Sequence, residues 1–327
     1  MKQVLVMLPF DETYRRKLSA IAGDAYNLQF WDSQWERGNY QKALEEANVI
    51  LGEPELPDLS LCRNLEWMQI TWSGVDGFVQ TPYFPRNAVL SSATGLYGPI
   101  ISEHMLALTL ALCRRLPEYA QLQAQKTWEL LLYDKPLEGS HVLILGAGDI
   151  GTTLARWLRP MVGQITGVRR VVRPYPECFD NVITLAELDT VLPQADIVLC
   201  CLPKTGQTDH ILNEARLRSM KQDAVLVNAG RGNLIDLQAL CRVLDEGHLW
   251  GVGLDVTETE PLPPEHPIWS RPRVIITPHA AGNSFGPGSP TERKIWDFVL
   301  QNFERYMQGL PVASQVDFSA GYCARQK

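Results

Sequence analysis

The stretch His141-Val142-Leu143-Ile144-Leu145-Gly146-Ala147-Gly148-Asp149-Ile150-Gly151 sets the reading of the whole chain. A short apolar run of strand type leads into G-x-G-x-x-G, and a helical pattern continues through Trp157. In that strand-turn-helix setting each glycine has a task. Gly146 permits the tight turn, Gly148 lets a pyrophosphate come up against the backbone, and Gly151 lets the helix lie close on the strand. The N–H groups of Asp149 and Ile150, at the helix start, then face the phosphates. A structural turn or a methyltransferase loop satisfies the same spacing, so it is the context that points to a dinucleotide. An NAD site places an acid on the ribose 2′-hydroxyl roughly 20 residues further on. Here Arg169-Arg170 stand in that place, with Arg173 close behind. Guanidinium groups suit a 2′-phosphate, which predicts NADP(H) over NAD(H). An exposed basic turn is the plainer reading of the same residues.

Outward from this loop, strands and helices alternate. Towards the C-terminus the pattern predicts a helix over 149–159 and strands at 164–168, 196–201, 223–228, 250–255 and 273–276, with a helix at 187–192. Towards the N-terminus it predicts strands at 4–8 and 47–51 and a helix at 12–21. Alternation of this kind implies right-handed crossovers and an α/β fold of doubly wound parallel sheets. Between the halves, Pro99 to Lys126 reads as one long helix, with proline in its first turn and apolar residues at 101, 105, 106, 108, 109 and 112. The Gly- and Pro-rich segment 282–290 reads as a second crossing, followed by a last helix at 291–308. One domain is thereby expected inside the other: 99–285 as the nucleotide domain, flanked by 1–98 and 286–327.

Bulk properties agree with two domains. The chain has 327 residues, 45% of them hydrophobic, beyond the roughly 250–300 at which single cores stop growing. A net charge of -7 without blocks of one sign argues against nucleic-acid or membrane-surface binding. Seven cysteines include no C-x-x-C pair, so no zinc or redox motif and no metal is expected. Cys200 and Cys201 end an apolar run and read as packed thiols. The apolar opening runs straight into Asp11-Glu12 and reads as a first strand, not a signal peptide. No run of about 18 apolar residues occurs, and the cytoplasm is the expected compartment.

Three further segments carry a family resemblance: Asn228-Ala229-Gly230-Arg231-Gly232, Asp255 through Pro263, and Thr277-Pro278-His279. With Ser73-Gly74-Val75-Asp76 early and Val316-Asp317 and Gly321-Tyr322 late, the chain resembles the D-isomer-specific 2-hydroxyacid dehydrogenases over nearly its whole length, most closely the glyoxylate/hydroxypyruvate reductase branch. The resemblance implies a Rossmann-type nucleotide domain inserted into a flavodoxin-like substrate domain. It implies that Arg231 clamps the substrate's carboxylate and keto oxygen, that Glu260 pairs with His279, and that His279 is the acid/base. It assigns backbone N–H groups of Ser73, Gly74 and Val75 to the substrate carboxylate, Leu202, Pro203 and Thr208 to the cofactor lining, and Ala229 and Asp255 to the vicinity of the nicotinamide amide. It also implies a homodimer through the 99–126 helix.

The chemistry asks for these types. Hydride arriving at a ketone carbon leaves charge on oxygen, so a proton donor must be in place. Histidine gives and takes a proton near neutrality, and a planar guanidinium matches a 2-oxo acid bidentately. Each residue alone has a bland reading: His279 as a structural histidine at a strand end, Glu260 as a loop carboxylate, Arg231 as an exposed helix-start residue, Ser73–Val75 as a plain turn. The ordered trio carries the functional one. Where relatives often bring a basic or aromatic residue to the substrate, this chain has Leu51-Gly52-Glu53-Pro54, an acid unhelpful beside an acid, which leaves the substrate open. The expected activity is reduction of a small 2-oxo acid to the D-2-hydroxy acid. The alternatives are a cofactor-sensing interaction protein of corepressor type on the same fold, or an NAD-linked dehydrogenase of the superfamily acting on another acid.

Overall fold

The computed structural model describes residues 1–31, 34–171, 174–283 and 289–323. The chain divides into two compact units, Met1–Leu96 with Ser284–Lys327 and Tyr97–Asn283. The first holds strands β1 (Lys2–Val6), β2 (Tyr26–Phe30), β3 (Val49–Leu51), β4 (Trp67–Gln69) and β5 (Val89–Ser91), with helices α1 (Glu12–Ala22), α2 (Arg37–Glu46) and α3 (Asp76–Gln80). Its sheet runs β2-β1-β3-β4-β5, parallel throughout, the flavodoxin-like order.

The second unit opens with helices α4 (Gly98–Cys113) and α5 (Leu116–Ala124), then β6 (His141–Leu145), α6 (Asp149–Leu158), β7 (Gln164–Val168), β8 (Asn181–Ile183), α7 (Leu188–Val191), β9 (Ile197–Cys200), α8 (Glu214–Ser219), β10 (Val225–Asn228), α9 (Leu237–Asp245), β11 (Gly251–Leu254) and β12 (Val274–Ile276). Its seven strands run β12-β11-β10-β9-β6-β7-β8. Strand order reverses between β6 and β9, the crevice at which doubly wound sheets of Rossmann type bind ligands. Val142, Leu143, Ile144 and Leu145 are all fully buried, as are the four residues of β9. Helices cover both faces of a parallel sheet, so its central strands are apolar without alternation. Burial pushes the Cys200 thiol well above its ordinary range and that of Cys201 to about 12, in keeping with packed thiols.

The last helix, α10 (Pro290–Met307), belongs to the first unit. Trp296 meets Phe10 edge-on at 5.3 Å, the Tyr14 hydroxyl donates to Asp297 at 2.9 Å, and the Asn302 amide reaches the Gln69 side chain, inside the sheet, at 2.7 Å. These contacts bring the C-terminal segment back to the first sheet. The expected long helix over 99–126 is two helices instead. Pro117 offers no N–H to continue the ladder. The chain turns at Arg115, whose φ is +57°, and the Cys113 carbonyl accepts from Lys135 N at 3.0 Å. Of the expected crossing at 282–290, residues 284–288 lie outside the described residues. Among the described residues no helix is long and apolar enough to cross a membrane.

Candidate active site

At the end of β6 the chain turns at Gly146, φ +113°, where a Cβ would stand 2.9 Å from the Cys201 carbonyl. At Gly151 a Cβ would fall 2.2 Å from Gly146 O, so α6 meets its own turn as closely as backbone allows. Gly148 is open: nothing lies within 4 Å of where its Cβ would be. The first N–H groups of α6 have no carbonyl within the helix to bond. Asp149 rests its carboxylate against the start of α4, where a Cβ on Gly98 would fall 2.7 Å from Oδ2. Ser102 of α4 donates to Ile150 O at 3.0 Å. An open glycine cradle at a helix N-terminus fits a diphosphate in both shape and dipole.

Arg169 and Arg170 follow β7 directly, on the strand beside β6. Arg169 Nε donates to Ala147 O at 2.6 Å, so its guanidinium braces the glycine loop from the side, while Arg170 is exposed. Arg173 lies outside the described residues. After β9, Leu202 is buried and the buried Thr208 closes a turn, its hydroxyl donating to Pro203 O at 2.7 Å and accepting from Thr205 N at 2.8 Å. His210 beyond it pairs with Glu258 at 2.6 Å, and this hydrogen bond raises the imidazole above its ordinary range.

At the end of β10 the Asn228 amide brackets the next turn. Its Oδ1 accepts from Gly230 N and its Nδ2 donates to Arg231 O, both at 3.0 Å. Arg231 is thereby held in extended backbone, φ −141°, with Ala229 buried beneath. After β11, Glu260 faces two ways: Oε1 accepts from Thr257 N at 3.0 Å and Oε2 meets His279 Nδ1 at 2.8 Å. The second ring nitrogen of His279, Nε2, belongs to a side chain that is 52% exposed. His279 itself is left-handed, φ +54°, a conformation uncommon outside glycine.

Asp255 accounts for that conformation. An acid ending a buried strand is an odd choice by propensity, and here its carboxylate is 2% exposed and gathers the loop after β12. Oδ1 accepts from Thr277 Oγ1 at 2.6 Å and Ala280 N at 2.8 Å, and Oδ2 accepts from Ala281 N at 3.1 Å. The Asp255 carbonyl takes the His279 N–H at 2.8 Å. The motifs contain Asn228 and Thr277, but sequence reasoning gave neither a role. It also gave no role to His104, which reaches Thr277 Oγ1 at 3.0 Å from α4; its only signal was to interrupt, with Ser102 and Glu103, an apolar run.

In the first unit, Ser73-Gly74-Val75 form the turn between β4 and α3. The Ser73 carbonyl accepts from Thr94 Oγ1 at 3.3 Å and Trp72 O from Ala93 N at 3.0 Å. Glu53 does not simply stand as a loose charge beside this turn. It accepts from Thr71 Oγ1 at 2.8 Å and from Thr71 N, and burial pushes its carboxyl above the ordinary range.

Residues 106–281 match the family model described as D-isomer specific 2-hydroxyacid dehydrogenase, NAD binding domain. A glyoxylate/hydroxypyruvate reductase B of Yersinia pestis (strain Pestoides F) is 32% identical over 72% of this chain and 75% of its own length. Among solved structures, a D-isomer specific 2-hydroxyacid dehydrogenase family protein from Aeromonas salmonicida superposes with a TM-score of 0.85 at 32% identity, covering 97% of this chain and 99% of that one. An NADPH-dependent glyoxylate/hydroxypyruvate reductase from Sinorhizobium meliloti, solved with NADP and sulfate, gives 0.82 at 27%, covering 98% and 100%. With its glycine cradle at the sheet's switch point and a paired histidine at the end of β12, this chain belongs to the D-isomer specific 2-hydroxyacid dehydrogenase family, oxidoreductases that depend on NAD(P).

Proposed function

We propose that this chain reduces a short 2-oxo acid, of the glyoxylate or hydroxypyruvate kind, to the D-2-hydroxy acid, with NADPH as the preferred cofactor. The observation that carries the reading is the Thr257–Glu260–His279 relay, which spends Nδ1 of the imidazole on a fixed carboxylate and keeps Nε2 for the substrate. When bound, the nicotinamide supplies the hydride for the substrate's carbonyl carbon. As charge develops on the carbonyl oxygen, His279 Nε2–H donates its proton there, and Glu260 offsets the charge of the imidazolium form. Arg231 orients the acid through its planar fork, and the N–H groups of Ser73, Gly74 and Val75 receive the carboxylate.

Gly146, Gly148, Asp149, Ile150 and Gly151, with Leu202, Pro203, Thr208, Ala229 and Asp255, would line the cofactor, and Arg169, Arg170 and Arg173 would bring positive charge to a 2′-phosphate. On this reading residues 97–283 are the nucleotide domain, and 1–96 with the C-terminal segment are the substrate domain. The Sinorhizobium reductase solved with NADP supports the cofactor choice. A His279→Ala variant should lose about 10²- to 10⁴-fold in kcat while NADPH binding, followed by fluorescence, is kept. Retention of most turnover would sink the assignment, and a clear preference for NADH in paired KM measurements would sink the cofactor choice.

The working unit we propose is a homodimer. In α4, Ile101, Met105, Leu108 and Leu112 are buried within their own unit, so the exposed apolar band lies beyond it, on Leu116, Trp128, Leu130, Leu132 and Tyr133. Four of these five exposed side chains fall within residues 128–133, and apolar surface gathered in this way marks a contact. Sedimentation should give a dimer that Trp128→Glu weakens; a monomer at all concentrations counts against it.

A further inference from the structure

We propose that His104 is a positioning residue for the acid/base: a proton on its Nε2 holds Thr277, and through Thr277 and Asp255 it fixes the loop that presents His279. The inference rests on the reading of His279 as proton donor. It follows from counting protons along one line of contacts. The Thr277 hydroxyl has a single proton and stands 2.6 Å from Asp255 Oδ1, an oxygen that only accepts when the carboxyl is ionised. The hydroxyl proton therefore points at Asp255. The same hydroxyl oxygen is 3.0 Å from His104 Nε2 and has only a lone pair left to offer. Nε2 must then carry a proton, whether the ring is the neutral Nε2–H tautomer or the imidazolium. Asp255 Oδ1, at 3.5 Å, draws the same N–H from slightly further off.

The line continues into the catalytic loop. Oδ1 of Asp255 also takes Ala280 N–H at 2.8 Å, and the Asp255 carbonyl takes the N–H of His279 at 2.8 Å. Both neighbours of the Pro278-His279 pair are thus tied to one carboxylate oxygen, and His279 is held at φ +54° between them. Removing the His104 donor leaves the Thr277 hydroxyl oxygen short of one partner and loosens one side of this clamp. The chemistry of His279 is unchanged, but its Nε2 is presented less consistently, and such a loss falls on turnover more than on binding.

The test uses the full chain with His104→Ala and His104→Gln, and His279→Ala beside them. We expect kcat with hydroxypyruvate and NADPH to fall about five- to tenfold in His104→Ala, the scale of one hydrogen bond, with both KM values within about twofold. Gln retains an N–H donor at similar reach and should restore most of the loss, whereas a ring needed only for packing would not be replaced by an amide. Imidazole ¹⁵N shifts of the wild-type protein without ligands should show Nε2 of His104 protonated, a measurement that stands even where His104→Ala folds poorly. The proposal is overturned by an unprotonated Nε2, by wild-type kcat in His104→Ala, or by a loss that Gln does not restore. Full turnover in His279→Ala overturns the proton-donor reading and this role with it. Loss in His279→Ala beside an unaffected His104→Ala overturns the role of His104 alone.

Discussion

Replacing Gly232 with alanine is a small change that reaches two parts of the proposed catalytic group at once. A Cβ there would stand 1.9 Å from Thr257 O and 2.0 Å from Thr257 C, with Glu258 N at 2.6 Å. Ordinary contact begins at 3.4 Å, so from 1.9 Å the two segments must part by about 1.5 Å. All three atoms are backbone, and no rotamer change relieves them. Gly232 directly follows Arg231, and Thr257 N–H holds Glu260 at 3.0 Å, whose other oxygen holds His279. The displacement is therefore delivered to Arg231, the proposed substrate fork, and to the partner of His279, the proposed acid/base, together. Overpacking of this kind costs about 1–3 kcal/mol of stability, or about 2–12 °C in Tm for a domain of this size. A misplacement of about 1 Å costs on the order of 10²-fold in rate. The expected result for Gly232→Ala is a kcat/KM for hydroxypyruvate with NADPH lower by about two orders of magnitude, and a Tm lower by several degrees. Steady-state kinetics beside a thermal melt measure both. A variant within threefold of wild type in kcat/KM, with an unmoved Tm, would refute the claim that this backbone contact couples Arg231 to Glu260.

Gly148→Ala separates cofactor binding from folding. With open space where the Cβ would stand, the methyl displaces no packed atom, and Tm should stay within a few degrees of wild type, about 1 kcal/mol or less. The KM for NADPH should rise at least about tenfold as the methyl enters the phosphate cradle, and an unchanged KM would remove that cradle from the cofactor site. Glu53 has its carboxyl raised by burial, so its contribution to stability is fully present below the unfolded pKa of about 4.3 and is lost as pH rises through the folded value. Glu53→Gln, which keeps an oxygen for Thr71, should melt above wild type at pH 7.5 and coincide with it near pH 4; a lower melt at pH 7.5 counts against this. His210 is raised by Glu258, so the pair's stabilisation is full below about pH 6.5 and fades as pH rises through the raised value. His210→Asn, which tolerates the local φ of +45°, should therefore lower Tm more at pH 6 than at pH 9. For so exposed a pair the effect stays under about 1 kcal/mol, and equal losses at both pH values reject it.

The strands of the nucleotide sheet were readable where they are buried on both faces. β6 and β7 lie where the pattern predicts, at 141–145 and 164–168; in β6 the reason is the unbroken Val142–Leu145 run, which a parallel strand covered on both faces allows. The three-residue strands β4, β5 and β8, whose sequences Trp67-Met68-Gln69, Val89-Leu90-Ser91 and Asn181-Val182-Ile183 each mix in a polar residue, were not anticipated, whereas the equally short but wholly apolar cores of β3 and β12 were. Tyr26-Asn27-Leu28-Gln29-Phe30 does alternate, as suits the edge strand β2, and was legible but unclaimed. Pro117 was the visible warning that the 99–126 helix breaks, outweighed by apolar spacing on its N-terminal side.

For the site, legibility follows distance along the chain. Gly146 to Gly151 is one turn, and a turn's needs are local, so its residue types betray it, whereas Asn228 to Gly232 was marked by the family pattern. The pairing of Glu260 with His279 spans 19 residues and came from the family pattern, since no local rule specifies it. The contact of His104 with Thr277 spans 173, and no local rule names the partner: a histidine on a helix satisfies any partner the fold supplies. Asp255 stands between these cases. A carboxylate at the end of a buried strand demands donors, so its presence in sequence already required that some segment fold back onto it with free N–H groups. That segment carries His279. A buried acid closing a parallel strand is thus a pointer to the loop it must organise, and in this chain that loop bears the proposed acid/base.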